Sequence, residues 1–247
     1  MTAPSKLQQS MATDDLAGRP WLLLPGTLCT SMVFDGVLEA LGVGPDQCRT
    51  LLPDRPDVRD YDDICARSGP DTVVCGFSLG AILAAHWADR LTAHRLVLFG
   101  LNPFADDPSK AKGRHDLAHD VATRGGAVAM GSRLPPLSGA TPDVAREAIL
   151  EMADQTAHMI DAQTQLALSR PGALKALSQA RMPVLSLTGA EDIAAPPAQG
   201  RAAADAAPNG QFLPLAGLGH FALLEDPKAC AIALTRMNDA IHDPIPT

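Results

Sequence analysis

The sequence predicts an α/β fold: a mostly parallel sheet of about six strands, helices on both faces, and a helical segment inserted between two of the strands. Three observations carry this. Short continuous apolar runs recur at Trp21–Leu24, Thr72–Cys75, Leu96–Phe99 and Val184–Leu187, the pattern of strands covered on both faces of a parallel sheet. Helical patterns alternate with these runs at short spacing. From about Pro103 to Arg181 the alternation stops, and only helical patterns interrupted by glycine and proline remain.

Composition bounds the function. A chain of 247 residues with 46% hydrophobic and 19% charged residues can bury a large core as one domain, or as one domain carrying an insertion. The formal net charge of -8 argues against nucleic acid or an anionic membrane as partner, and no apolar run approaches the ~18 residues of a membrane span. The five cysteines, Cys29, Cys48, Cys65, Cys75 and Cys230, form no C-x-x-C pair. They read as small buried hydrophobes in a reducing, cytoplasmic setting. His115, His119 and His158 share no ligand spacing, so no metal and no other cofactor is expected. Met1 to Arg19 lacks the pattern of a signal peptide and reads as a flexible leader. The start at Met1 or Met11 stays open, as does the choice between monomer and homodimer.

In chain order, Pro20–Leu24 is the first strand, and Pro25-Gly26 ends it. A helix from about Ser31 carries Met32, Val33, Val37, Leu38 and Leu41 on one face and stops at Gly42. Cys48–Pro53 reads as an edge-like strand, and Tyr61–Arg67 as a short helix. Strand Thr72–Cys75 feeds a long apolar helix, Leu79–Leu91, and His94–Gly100 is the next strand. Within the insertion, Asp116–Thr123 is helical and stops at Gly125-Gly126. Thr141-Pro142 offers a hydroxyl cap and a first-turn proline, opening a helix with Val144, Ala148, Ile149, Met152 and Ala153 on one face. Met159–Leu168 is a further helix, and Leu174–Leu177 starts another. The alternation resumes with strand Met182–Gly189, a helix from Pro196-Pro197 to Ala206, edge strand Gly210–Leu215, and a helix from Ala222 or Pro227 to Ile241.

The strand before Leu79 ends in Gly76-Phe77-Ser78-Leu79-Gly80. A strand, a sharp turn carrying serine, then a helix is the setting of a nucleophile elbow. Side chains at Gly76 and Gly80 would collide where strand and helix pass each other. A serine hydroxyl is a poor nucleophile without a base. Two later strands end in loops that can supply one, Gly189-Ala190-Glu191-Asp192 and Gly217-Leu218-Gly219-His220. The order Ser, Asp, His, each after a strand, places all three at one rim of a parallel sheet. Of the two adjacent acids only one can face His220: Asp192 is the choice, Glu191 the other candidate. Asn102, past another strand end, reads as a loop or capping residue, and His86 as a packing residue.

Together with Leu24-Pro25-Gly26 and Phe221, these motifs resemble the α/β-hydrolase fold family, in particular small capped esterases akin to pimeloyl-carrier-protein methyl esterases and C–C bond hydrolases. The resemblance spans Trp21 to Ile241. It implies that Ser78 attacks a carbonyl carbon, His220 moves the proton and Asp192 orients His220. It also implies an oxyanion hole from the backbone N–H groups of Leu79 and Thr27, with Leu28 the near alternative. Pro25 stands where many members have histidine. The pair of strands that usually precedes the first motif has little room here, so the sheet should have ~6 strands, all parallel. Residues 20–102 and 182–247 should form the core, 103–181 a helical cap, and 1–19 the leader.

The expectation is a cofactor-free serine hydrolase acting on a carboxylic ester of a small or medium apolar substrate. A thioesterase or C–C hydrolase with the same triad is the alternative. A small-molecule-binding protein that uses the fold as a receptor is the reading from another class.

Overall fold

The computed structural model describes residues 16–242. The expected leader lies outside these up to residue 15. Its last residues are packed: Leu16–Gly18 makes a 3₁₀ turn, Leu16 is buried, and the Trp21 indole donates to the Leu16 carbonyl at 3.1 Å.

The core elements follow in order. Strand β1 is Trp21–Leu24, helix α1 Met32–Leu41, strand β2 Cys48–Thr50, helix α2 Asp63–Arg67 and strand β3 Val73–Phe77. Helix α3, Leu79–His86, then leads to strand β4, Arg95–Phe99. Between β4 and β5 the chain is helical: α4 Ala111–Arg124, α5 Gly126–Gly131, α6 Pro142–Gln155, α7 Ile160–Ser169 and α8 Leu174–Leu177. Strand β5 is Val184–Gly189, helix α9 Pro197–Ala206, strand β6 Gly210–Leu215, and helices α10 Ala222–Glu225 and α11 Pro227–His242 close the fold.

All six strands pair in parallel in the order β2-β1-β3-β4-β5-β6. The expected sheet is therefore present, without a preceding strand pair among the described residues. Alternate strand residues feed opposite layers. Trp21, Leu23, Val73, Cys75, Phe77, Val97 and Phe99 pack with α1 and α11. Leu22, Leu24, Val74, Leu96, Leu98 and Val184 pack with α3, α8 and α9. Each strand is thus covered twice, which is why it reads as an unbroken apolar run. A smaller cluster sits within the insertion: Ala118, Val121, Ala129, Ala153 and Ile160, together with Leu28 from the loop after β1.

Several expectations shift in detail. Helix α3 stops at His86, short of Leu91. Its chain tightens there into i→i+3 bonds, Ala88 N–H to the Ala85 carbonyl and Arg90 N–H to Trp87, and the buried Trp87 indole is held by the Val58 carbonyl at 3.0 Å. Helix α5 was not expected; Gly125, at φ 87°, turns the chain directly from α4 into it. Helix α6 begins at Pro142, but the Thr141 hydroxyl makes no capping bond, because Thr141 leaves the extended region that capping needs. Val144 faces solvent at 62% exposure, while Ile149, Met152 and Ala153 are buried. Asp226 breaks the C-terminal helix in two, and Pro227 restarts it. No helix among the described residues is long and apolar enough to cross a membrane.

Candidate active site

Ser78 stands between the end of β3 and the start of α3. Its backbone is at φ 51°, ψ -114°, a conformation costing about 1–3 kcal/mol for a residue with a Cβ. The surroundings leave no alternative. The Ser78 N–H continues the ladder to the Phe99 carbonyl at 2.9 Å, and its carbonyl accepts from Ile82 N–H at 3.0 Å. A Cβ on Gly80 would lie 1.9 Å from the Leu24 carbonyl oxygen, and one on Gly76 would lie 2.5 Å from Ala81 Cα. Helix and strand therefore pass at a distance that only glycine permits.

The loop after β6 brings His220 to this turn. His220 Nε2 lies 3.1 Å from Ser78 Oγ, and Nδ1 lies 2.7 Å from Asp192 Oδ2. The other oxygen of Asp192 accepts from Ala194 and Ala195 N–H, each at 2.8 Å. With 3% exposure, this carboxylate has one oxygen fixed by backbone and the other aimed at the imidazole. Glu191 is exposed and makes no such contact with His220. The imidazole is also flanked by Phe77 and Phe221, with ring centroids 5.2 Å and 5.6 Å away. Behind it, the buried Glu225 accepts from Gly219 N–H at 2.7 Å and ties the loop to α10.

Hydroxyl, imidazole and carboxylate in this line can pass a proton from oxygen to a leaving group. A competing thiol nucleophile is disfavoured, because burial pushes the Cys29 thiol up to about 12.

The loop after β1 faces the same hydroxyl. Thr27 lines the cleft beside Ser78 and His220. Leu28, the alternative donor, is turned away: its N–H donates to Gln163 Oε1 of α7 at 3.0 Å. Its backbone is at φ 56°, and its side chain is buried in the insertion's own cluster. Leu79 is the first residue of α3, where an N–H has no intrahelical acceptor. Asn102 accepts from Phe104 N–H at 3.0 Å, the loop role read from the sequence. His86 sits at the end of α3, edge-on to Trp87. No cluster of metal-ligating side chains occurs among the described residues.

A profile of the alpha/beta hydrolase family matches residues 18–233. The chain belongs to the alpha/beta hydrolase family. A search of curated proteins found no match. Among solved structures, a thermophilic esterase from Thermogutta terrifontis is 22% identical, with a TM-score of 0.73 over 92% of this chain and 91% of that one. The enol-lactonase from Burkholderia xenovorans LB400 is 20% identical, with a TM-score of 0.69 over 90% and 92%. A bromoperoxidase from Bacillus anthracis is 14% identical, with a TM-score of 0.70 over 89% and 91%. At these identities the likeness is one of fold, and the three named activities differ, so the chemistry must be argued from the site.

In this hydrolase-family chain the cleft has two branches that meet at Thr27, Ser78, Arg114, Ala194 and His220. The larger, about 570 Å³, is walled by Leu117, Met130, the stretch Leu134–Leu137, Ile193 and Phe221. The smaller, about 120 Å³, is walled by Leu79, Asn102, Lys110 and Arg170. Three groups here carried no signal as isolated letters: Gln163, Glu225 and the set Asp106, Arg114 and Arg170. The available signal was a polar residue on an otherwise buried stripe. Glu225 ends the apolar run Phe221-Ala222-Leu223-Leu224, and Gln163 of α7 and Arg170, its C-terminal cap, flank Leu166 and Ala167.

Proposed function

We propose that this protein is a serine hydrolase that cleaves a carboxylic ester of a small molecule through an acyl-enzyme intermediate. The observation that carries the reading is the hydrogen-bonded line Ser78–His220–Asp192, with Ser78 forced to φ 51° at the head of α3. Ser78 Oγ attacks the ester carbon while His220 Nε2 takes its proton. The alkoxide leaves with that proton from His220. Water, deprotonated by His220 in turn, then cleaves the acyl-enzyme and frees the acid and Ser78. Asp192 holds the imidazole in the tautomer that presents Nε2 as acceptor and stabilises the imidazolium. The N–H groups of Thr27 and Leu79 receive the developing oxyanion, while the engagement of Leu28 N–H by Gln163 supports Thr27 over Leu28.

Residues 103–181 act as a cap: side chains from this stretch wall the larger branch opposite Ser78. Most of these are apolar, Leu117, Met130 and Leu134–Leu137, with Arg114 and Arg133 among them, which supports a substrate with an apolar portion of small or medium size. A thioester or a C–C bond α to a carbonyl would use the same groups. The five free cysteines support a reducing, cytoplasmic setting.

The test is turnover of p-nitrophenyl esters of two to eight carbons together with labelling by a fluorophosphonate probe. Turnover and labelling, both abolished in Ser78→Ala with an unchanged circular dichroism spectrum, are expected. Absence of both in the wild-type protein would refute the hydrolase reading. Ligand-induced stabilisation without labelling would favour a receptor-like binder.

A further inference from the structure

We propose that the smaller branch of the cleft is an anion subsite, and that the ester this protein cleaves carries a carboxylate a few carbons from the scissile carbonyl. This rests on Ser78 being the nucleophile and names the substrate class.

The first observation is charge. The branch is walled by Lys110, Arg114 and Arg170. The acid paired with the two arginines is Asp106, whose Oδ1 accepts from Arg114 Nη2 at 2.5 Å and Arg170 Nη1 at 2.8 Å, and whose Oδ2 accepts from Arg114 Nε at 2.9 Å. One carboxylate between two guanidinium groups leaves a positive charge uncompensated. Lys110 adds another at the mouth, where the exposed Asp107 lies near it. The inner end of the branch is held away from water: Arg170 is 3% exposed and the Asp106 side chain 4%, while Arg114 keeps 29% of its side chain in solvent and Lys110 is exposed. A buried charge without its full complement of partners is costly, so the site favours an incoming anion.

The second observation is an unmet donor. Arg170 Nη1 is used by Asp106 and the Ala167 carbonyl, yet its buried Nε finds no acceptor. Buried guanidinium N–H groups are rarely left so. Nearby, Asn102 has committed its Oδ1 to Phe104 N–H, so what it can offer a ligand is its NH₂ group.

The third observation is placement. The branch opens on Ser78 and His220 and is also lined by Thr27 and Leu79. Its volume of about 120 Å³ admits a short chain and excludes a bulky one. An apolar group would fill the larger branch, and a carboxylate at the end of a short acyl chain would fill this one. Arg114 lines both branches and so contacts the substrate where they meet. A guanidinium that recognises a carboxylate in two parallel bonds fixes orientation as well as affinity.

The test compares kcat/KM for p-nitrophenyl hydrogen glutarate and p-nitrophenyl pentanoate, which share a five-carbon acyl chain and differ in the terminal carboxylate. The wild-type protein should prefer the glutarate ester about 10- to 100-fold, the worth of one or two charge-assisted hydrogen bonds. The ratio should collapse toward one in Arg114→Gln and fall in Lys110→Ala. Because it is taken within each variant, loss of folded protein cannot imitate the change. Calorimetric titration of glutarate into Ser78→Ala should show binding that weakens as salt rises and disappears in the Ser78→Ala, Arg114→Gln double variant. Turnover of the pentanoate ester with a wild-type ratio at or below one would overturn the subsite and leave the hydrolase reading standing. A ratio unchanged in both variants would overturn the residue assignment. No turnover of either ester and no fluorophosphonate labelling would overturn the hydrolase reading, and glutarate binding would then decide the subsite alone.

Discussion

Replacing Gln163 by leucine should slow catalysis without touching any group in the reaction line. Gln163 has 0% exposure, and its Oε1 is the acceptor for Leu28 N–H. Leucine has similar bulk and no acceptor, so the Leu28 N–H would be buried unpaired, at about 1–3 kcal/mol. Part of this is recovered, because Gln163 Nε2 is itself buried without a partner. The net loss should lower Tm by no more than a few degrees, given about 2–4 °C per kcal/mol for a chain of this size. The larger effect is on Thr27. Leu28 is held at φ 56°, a strained state that persists only while its surroundings impose it. With the Gln163 bond gone, the buried Leu28 side chain and the turn closed by Cys29 N–H on the Gly26 carbonyl at 3.2 Å are the restraints left, and the loop can relax and turn the Thr27 N–H off the proposed oxyanion position. Full loss of one such donor costs about 10²–10³ in kcat. Partial loss should give a fall of about 10- to 100-fold, with KM within about threefold, since the ground-state carbonyl gains little from that donor. Steady-state kinetics on a p-nitrophenyl ester and the rate of fluorophosphonate labelling should fall together. A normal kcat alongside a lowered Tm would show that Gln163 merely packs, and the proposed role of Thr27 would lose its support.

Other outcomes follow from the same geometry. Ser78→Gly should abolish activity yet raise Tm by a few degrees, since relief of about 1–3 kcal/mol of backbone strain exceeds the ~0.5–1 kcal/mol entropic cost of glycine; a fall in Tm on thermal melting would contradict the strain argument. Gly80→Ala should yield little soluble protein, because its Cβ would sit 1.9 Å from the Leu24 carbonyl oxygen at the end of β1, and soluble, active Gly80→Ala would refute the packing. Asp106→Asn should flatten the acid limb of the stability profile. Burial raises the Asp106 carboxyl, but bonds and charge from Arg114 and Arg170 outweigh it and hold the group below the usual carboxylate range. A depressed folded value means stabilisation that is present above the unfolded value near ~4 and is lost as pH falls through the folded one. Chemical denaturation below about pH 5 should therefore show a shallower slope in the variant.

The sheet was legible because burial on both faces writes itself into sequence as unbroken apolar runs, and parallel order follows from helices between them. Ser78 was legible because Gly76 and Gly80 are demanded by a close approach that tolerates no side chain. Asp192 and His220 could be placed near it because each follows a strand whose end lies on the same rim. The separate helices of the insertion were only partly legible. Gly125 reads as a stop, yet at φ 87° it redirects the chain into α5. Thr141-Pro142 has the letters of a capped start, but its hydroxyl is unused. Long-range bonds left no trace of their partners: 135 positions separate Leu28 from Gln163, and 64 separate Asp106 from Arg170.

Both of those long-range bonds end on α7 or on Arg170, the residue that caps it. Gln163, Leu166, Ala167 and Arg170 are spaced i, i+3, i+4 and i+7, so they share a face, and all four are buried. The apolar pair in the middle docks this face on the layer that holds α3. The polar residue at one end grips the loop after β1, and the charged residue at the other lines the smaller branch. Each polar end is only partly satisfied, since Gln163 Nε2 and Arg170 Nε are buried without a partner, and such groups cost stability. Both residues reach from the cap to the cleft, Gln163 through Leu28 and Arg170 as part of its wall. In the proposed mechanism, a helix belonging to the cap carries one support for transition-state charge and one for substrate charge. Displacing α7 from the core should weaken both, so cap variants that shift it should lose kcat as well as substrate preference. If cap variants changed only KM, the cap would be a passive wall and the stripe on α7 would need another explanation.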